Sequence, residues 1–416
     1  MSGTSTQYMN VPSEYWGGID DAVAAAGLDA PVLALDLGAL EHNIADLRRR
    51  SAGVPIRVAS KSVRIRSVIE DVLSRDGYAG VLAYDVAEAR WLATAAGVSD
   101  VLLGYPSMRA GAVAELLADE TALARVTLLI DDVAQLDLVD AVAAPDTRGS
   151  VRVALDLDAS LRALGGRLHL GVRRSPMHDV DQATRMARTI GDRPGFDLVG
   201  VMSYEAQVAG VGNGVPGRTL MNTMVRGMQA LSMAELRHRR GRAIAAIREH
   251  ADLEFVNAGG TGSLEATAKD SSVTDIAVGS GLLGGHLFDT YRHFQPAPAL
   301  AFGLDVVRRP SPRYITCAGG GWIASGPPGE DRLPKPVWPE GLSYLPKESA
   351  GEVQTPLHVP ESIHVRIGSR VWFRHTKSGE VCERAERVAL IARNGSGDAE
   401  VVDVVPTYRG EGKCFL

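Results

Sequence analysis

Between residues 55 and 280, short runs rich in Val, Ile and Leu alternate with Ala-, Arg- and Glu-rich stretches of helical period. The runs are PIRVASK (55–61), GVLAYD (80–85), DVLLGYP (100–106), RVTLLID (125–131), SVRVALDLD (150–158), DLVGVMSY (197–204), LEFVNAGG (253–260) and TDIAVGS (274–280). Each is continuously apolar rather than alternating, the pattern of a strand buried on both faces. Eight such strands with helices between them predict an α/β fold, a (β/α)8 TIM barrel. An open doubly wound sheet is the competing arrangement of the same alternation.

Ahead of the barrel, VLALDLG (32–38) reads as a strand leading into a helix over 39–50, where Leu40, Ile44 and Leu47 keep helical spacing. Beyond residue 290 the texture turns to proline, glycine and strand-like segments such as RYITCAGG, HVRIGSRVWFRH, RVALIAR and AEVVDVVPTY. The chain therefore divides into an N-terminal segment (1–54), a barrel (55–290) and a mostly β C-terminal domain (291–416) that the strand at 32–37 would join. The Pro/Gly-rich stretch 324–349 is a long loop of the kind that serves as a lid or a subunit contact.

Composition narrows the partners. The chain has 416 residues, 45% apolar and 23% charged, which suits a globular protein able to bury two cores. A formal charge of -6 without a long basic run argues against nucleic acid and favours a small-molecule substrate. The start, MSGTSTQYMNVPSEYWGG, lacks the apolar run of a secretory signal, and no stretch is apolar enough for a membrane span. Cys317, Cys382 and Cys414 have no C-x-x-C spacing, which suits a reducing compartment and hence the cytoplasm.

In such barrels catalytic groups gather where the strands end, so the residues closing each run are the candidates. Lys61 closes the first; it is either a solvated strand-end lysine or a buried amine used covalently. Gly259, Gly260, Thr261 and Gly262 close the seventh run and Gly279 and Ser280 the eighth. Each is a tight turn or, jointly, an anion-binding pair of loops placed where these barrels hold phosphate. Tyr204 is a core tyrosine or a phenol that orients and exchanges protons. His169 and Arg173 form a solvated cluster, or supply a cation to a cofactor or a substrate carboxylate. Asp85 and Asp156 also end strands, and neither receives a role. In RHTKSGEVCERAERV (374–388), His375, Glu380, Cys382 and Glu383 lie within nine residues. Imidazole with thiolate suits zinc, imidazole with carboxylates manganese or magnesium, and a surface histidine beside a buried cysteine is the alternative.

Together APVLALDLGALEHNI, RVASK, VGVMSYEAQ, NAGGTGS, HTKSGEVCE and TYRGEG make the chain resemble the alanine-racemase-like pyridoxal 5′-phosphate enzymes, within them the D-threonine aldolase and D-serine dehydratase group. The likeness runs from about residue 31 to the C-terminus. It implies an internal aldimine at Lys61 and phosphate contacts from Gly260, Thr261, Gly262, Gly279 and Ser280. It also implies a divalent metal, Zn or Mn, near the substrate hydroxyl, falling here to His375 and Cys382, and a homodimer. Two departures stand out: no histidine flanks Lys61, and Lys377 occupies the position of the second metal ligand.

The resulting expectation is a lyase for β-hydroxy-α-amino acids of D configuration, with Lys61 and Tyr204 catalytic, Arg173 and Tyr204 at the cofactor, and metal-assisted aldol cleavage as the reaction. The alternatives are dehydration of D-serine or a related amino acid, racemisation or epimerisation, and a pyridoxal-phosphate-binding protein without turnover.

Overall fold

The computed structural model describes residues 11–163, 165, 167–327, 329–377 and 379–416. Residues 1–10, most of the polar start read above, lie outside them. The chain forms two compact units, one of Leu47–Ser60, Ile69–Gly279 and Phe415–Leu416, the other of Met1–Asp46, Lys61–Val68 and Ser280–Cys414.

After β1 (Val32–Asp36) come β2 (Ile56–Ala59), β3 (Tyr78–Ala83), β4 (Val101–Leu103), β5 (Val126–Ile130) and β6 (Val151–Asp156). A small hairpin, β7 (Leu161–Ala163) and β8 (Leu168–Leu170), precedes β9 (Phe196–Ser203), β10 (Phe255–Ala258) and β11 (Asp275–Val278). The barrel is closed and parallel in the order β10-β11-β2-β3-β4-β5-β6-β9, one strand from each apolar run. Its interior is filled by Leu82, Leu102, Leu129, Ala154, Val199, Met202 and Phe255. Gly200 is required by that packing, because a Cβ there would run into the Phe255 ring. Lower in the barrel Arg57 is fully buried, which a cation tolerates only when paired. Asp100 at 2.7 Å and Asp275 at 3.1 Å supply the pairing, and the Phe255 ring lies 5.0 Å from its guanidinium.

The second unit is built on a nine-stranded sheet. It adds β12 (Leu300–Ser311), β13 (Tyr314–Ala318), β14 (Lys335–Trp338), β15 (Ser343–Tyr344), β16 (Gln354–His358), β17 (Arg370–Arg374), β18 (Arg387–Arg393) and β19 (Ala399–Pro406). β1 is completely buried and lies inside this sheet, antiparallel to β12 and parallel to β18. A helix at Ser13–Ala25, which the sequence reading did not identify, covers the sheet with Trp16, Ile19 and Val23 against Ala34, Trp372 and Ile391.

Candidate active site

Because the barrel is parallel, the C-terminal ends of all its strands open on one rim. β2 ends there and the chain turns at once through a single 3-10 turn, Ser60–Ser62, with Lys61 at its centre. Ser60 anchors the start of the turn by donating its hydroxyl to the carbonyl of Leu82 at 3.1 Å. Arg64 anchors its end: Nε donates to the carbonyl of Lys61 at 3.0 Å and the guanidinium reaches Glu383 at 2.8 Å. Arg64 has a φ of 55°, a conformation that L residues with side chains adopt at a cost. Its own carbonyl accepts from the N–H of Tyr408 at 2.9 Å, so the strained residue is fixed on both sides.

β10 runs into the glycine loop at Gly259–Ser263. Gly259 has a φ of +74°, and a Cβ on Gly260 would come within 3.1 Å of the Tyr204 ring, so both positions call for glycine. The loop's N–H groups are unequally committed. Gly259 donates to Glu205 at 3.2 Å and Gly260 to the hydroxyl of Ser263 at 3.1 Å, whereas Gly262 donates to no acceptor among the described residues. Gly279 and Ser280 follow directly on β11.

Glu205, which the sequence reading passed over as the neighbour of Tyr204, proves central to this loop. Its carboxylate is fully buried and accepts from the Gly259 N–H and from the Thr267 hydroxyl. The buried Arg240 compensates it, lying 3.5 Å from Glu205 and 2.8 Å from Asp270 and donating to the carbonyl of Ser203 at 3.2 Å. One ion network thus joins the end of β9 to the loop after β10. The sequence signal available was an acidic residue next to the strand-closing tyrosine. Its partners lie far along the chain, at Arg240 in the long helix Thr219–Ile247 and at Gly259 and Thr267.

Beside the glycine loop, on the other side of Tyr204, a cavity of about 370 Å³ opens on the rim between β4, β5, β6 and β9. Tyr105, Asp131, Asp156, Asp158, Arg174 and Tyr204 line it. Burial first, and then the cation of Arg174 opposing it and Tyr105 and Glu205 reinforcing it, push the Tyr204 phenol up to about 12. It is therefore a neutral hydrogen-bonding group at ordinary pH, suited to orientation more than to proton removal. Asp158 is held low: burial works against its ionisation, but hydrogen bonds from Ser160 and Arg162 prevail. Asp156 has no such donors. Burial, reinforced by Asp131 and Asp158 and opposed by Arg174, pushes it up to about 7.

Arg173, the cation singled out from the sequence, and Arg174 are both exposed, but only Arg174 lines this cavity, 6.0 Å from the Tyr105 ring and 5.7 Å from that of Tyr204. Neighbouring residues of a loop point in different directions, and RR offers no periodicity to choose between them. His169 sits in the β7–β8 hairpin with Nε2 3.3 Å from the carbonyl of Val172. Asp85 caps a helix by accepting from the N–H of Ala87 at 2.8 Å and pairs with Arg109.

Among the described residues the expected metal pair gains no third His, Cys, Asp or Glu ligand. His375 is buried, its Nδ1 3.1 Å from the carbonyl of Leu300, and its Nε2 has no partner among the described residues. That leaves one nitrogen able to ligate, yet among the described residues no three His, Cys, Asp or Glu side chains converge on a common point. Cys382 is also buried, and burial pushes its thiol up to about 12. Glu380 is engaged by Ser325 and Glu383 by Arg64. The residues present do not fit a zinc or manganese site.

They do fit a phosphorylated cofactor. The glycine loop excludes side chains where an anion would approach, Gly262 keeps an N–H available, and a lysine stands immediately beyond a barrel strand.

Comparison with known proteins agrees with this arrangement. The family model described as alanine racemase, N-terminal domain, matches residues 35–286. D-threonine aldolase from Filomicrobium marinum superposes with a TM-score of 0.73 at 20% identity, over 92% of this chain and 96% of that one. D-threo-3-hydroxyaspartate dehydratase from Delftia sp. HT23 gives 0.66 at 18%, over 91% and 97%. An alanine racemase-like protein from Idiomarina loihiensis gives 0.68 at 14%, over 92% and 98%. At these identities the structures establish the fold. Curated proteins returned no match.

Proposed function

Since the chain belongs to the alanine racemase N-terminal domain family, a family of pyridoxal-phosphate enzymes, we propose that it is a lyase acting on D-configured β-hydroxy-α-amino acids through pyridoxal 5′-phosphate on Lys61. The observation that carries the reading is the turn at Ser60–Ser62, where a lysine directly beyond a barrel strand is fixed by Arg64 in a strained conformation. The likeness to a D-threonine aldolase favours aldol cleavage. The likeness to a D-hydroxy-amino-acid dehydratase supports dehydration as the second reading.

When bound, the cofactor withdraws the electron pair of a bond broken at the amino acid's α-carbon. The chain's residues would do the rest. Lys61 supplies the amine that holds the cofactor and, when displaced by substrate, can hold or return a proton. Gly262, with Thr261 and the turn at Gly279 and Ser280, would hold the phosphate. Glu205 keeps the glycine loop in shape through the Gly259 N–H and is itself held against Arg240 inside the barrel wall. Tyr204 keeps its proton and orients what lies against it. Racemisation fits less well, since it needs a proton-exchanging base on each face, and a phenol near 12 is a poor one at neutral pH. No metal step belongs to the reading. The free cysteines Cys317, Cys382 and Cys414 suit a cytoplasmic enzyme, and a homodimer is the assembly we propose by analogy with the group it resembles.

Incubation with D-threonine separates the routes. Acetaldehyde and glycine are the expected products; 2-oxobutanoate and ammonia would make the second reading the correct one, and absence of both pairs across a panel of D-hydroxy amino acids would refute the lyase.

A further inference from the structure

The long helix Thr219–Ile247 changes character part-way along. Its second half is an ordinary surface helix: Leu236, Ala243, Ile244 and Ile247 are buried, while Arg237, His238 and Arg242 face water. Its first half is built the other way round. Asn222, Gln229 and Ser232 are buried, whereas Leu220, Met221, Met224 and Leu231 are 77%, 54%, 62% and 61% exposed. None of the exposed residues from Thr219 to Ala234 carries a charge.

The inward polar residues have a local explanation. Asn222 donates to the carbonyl of Val215 at 2.8 Å and accepts from its N–H at 3.1 Å. Gln229 donates to the carbonyls of Val208 and Val211 at 3.2 and 2.9 Å and accepts from the Asn213 side chain at 2.9 Å. This side of the helix therefore clamps the loop that precedes it. Nothing comparable accounts for the outward Leu and Met side chains, which form an apolar strip of the kind that marks an interaction surface.

Their spacing indicates what would cover them. Leu220, Met224, Gly227, Leu231 and Ala234 are all exposed and follow one another at intervals of four, three, four and three. This is the repeat with which one helix meets another. Gly227 lies in the middle of the seam, and a Cβ there would touch nothing within 4 Å. The packing of the single chain thus does not call for glycine at a helix-interior position where it costs about 1 kcal/mol against alanine. Bare backbone at that point allows a second helix to approach closely.

We propose that the outer face of Leu220–Ala234 is a contact between two copies of this chain, the helices crossing antiparallel about a two-fold axis at Gly227. The sequence is self-complementary in that arrangement. Leu220 of one copy falls against Ala234 of the other, the two glycines meet, and Arg218 comes within one residue of the level of Glu235, once at each end as a two-fold requires. The seam spans about 22 Å of helix, and covering it on both copies removes on the order of 1,000 Å² from water, the threshold for a specific association. The homodimer proposed above thereby gains a contact surface, which rests on this one helix and is independent of the lyase reading.

Sedimentation equilibrium of the full chain tests the surface. The wild type should be a dimer at micromolar concentration. Met224→Glu combined with Leu231→Glu should raise the dissociation constant at least about 100-fold and leave the circular dichroism unchanged, because both side chains are exposed in the single chain. Arg242→Glu, on the water-facing half of the helix, should remain a dimer. In a Cys414→Ser background, Gly227→Cys should give a disulfide-linked dimer on mild oxidation and Arg242→Cys should not. A monomeric wild type, including one that co-sediments with anionic vesicles instead, would overturn the assignment. So would a dimer that persists in the double Glu variant, or a Gly227→Cys chain that fails to cross-link. Turnover of D-hydroxy amino acids is read separately and bears on the lyase alone.

Discussion

Arg64 donates its Nε–H to the main-chain carbonyl of Lys61 at 3.0 Å while itself holding a φ of 55°, so the turn that presents the lysine is kept in place by a strained neighbour. Strain of this kind persists only where surrounding contacts over-determine it, here Glu383 and the N–H of Tyr408. Arg64→Ala should lower stability in urea by about 1–3 kcal/mol, the cost of losing buried charge-assisted hydrogen bonds. It should also weaken retention of the cofactor on dialysis. Retention equal to wild type would show that the turn needs no such support.

Glu205 is completely buried against Arg240, which Asp270 also pairs, so its removal leaves Arg240 compensated by Asp270 while the Gly259 N–H and the Thr267 hydroxyl lose their acceptor. Glu205→Ala should cost about 1–3 kcal/mol by chemical denaturation, the penalty for leaving buried donors without an acceptor. Glu205→Gln, which keeps the shape and an acceptor, should cost less. It should still narrow the preference for pyridoxal phosphate over pyridoxal, because the Gly259 loop is set by this carboxylate. An unchanged preference would confine Glu205 to packing.

Asp156 gives a pH signature with a definite sign. Its folded value of about 7 lies above the ordinary 3.8, so between those values the folded chain keeps a proton that the unfolded chain has released. Stability from this group is therefore fully present below about pH 4 and is lost as pH rises towards 7. Asp156→Asn cannot ionise and should gain on the wild type across that window, with a constant difference above it. Parallel stability curves from pH 4 to 8 would contradict the assignment of a buried, unpartnered acid.

The metal expectation has its own test. With Lys377 in place of a ligand and no cluster of three metal-binding side chains among the described residues, chelation followed by zinc or manganese add-back should leave turnover unchanged. Loss on chelation and recovery with either metal would mean that His375 finds ligands by rearrangement.

The barrel was legible because its strands are buried on both faces and so read as uninterrupted Val, Ile and Leu runs, each of which became a strand. The helix at Ser13–Ala25 was missed because its polar and glycine-rich start masks the spacing of Trp16, Ile19 and Val23. In the site, Lys61 and the glycine loop were readable from chain order, since strand ends are local features. Asp156 was visible as a strand end but looked idle, because its significance lies in donors it lacks. The choice between Arg173 and Arg174 depends on loop direction, and the partnership of Glu205 with Arg240 spans 35 positions, so neither leaves a local pattern.

The most direct test is the absorption spectrum of the purified protein after reconstitution with pyridoxal phosphate. A cofactor bound covalently to lysine absorbs near ~420 nm as a matter of general cofactor chemistry. The wild type should show that band, borohydride reduction should fix the label on the peptide containing Lys61, and Lys61→Ala should lack the band while remaining folded. A colourless wild type, or a band that survives Lys61→Ala, would contradict the account.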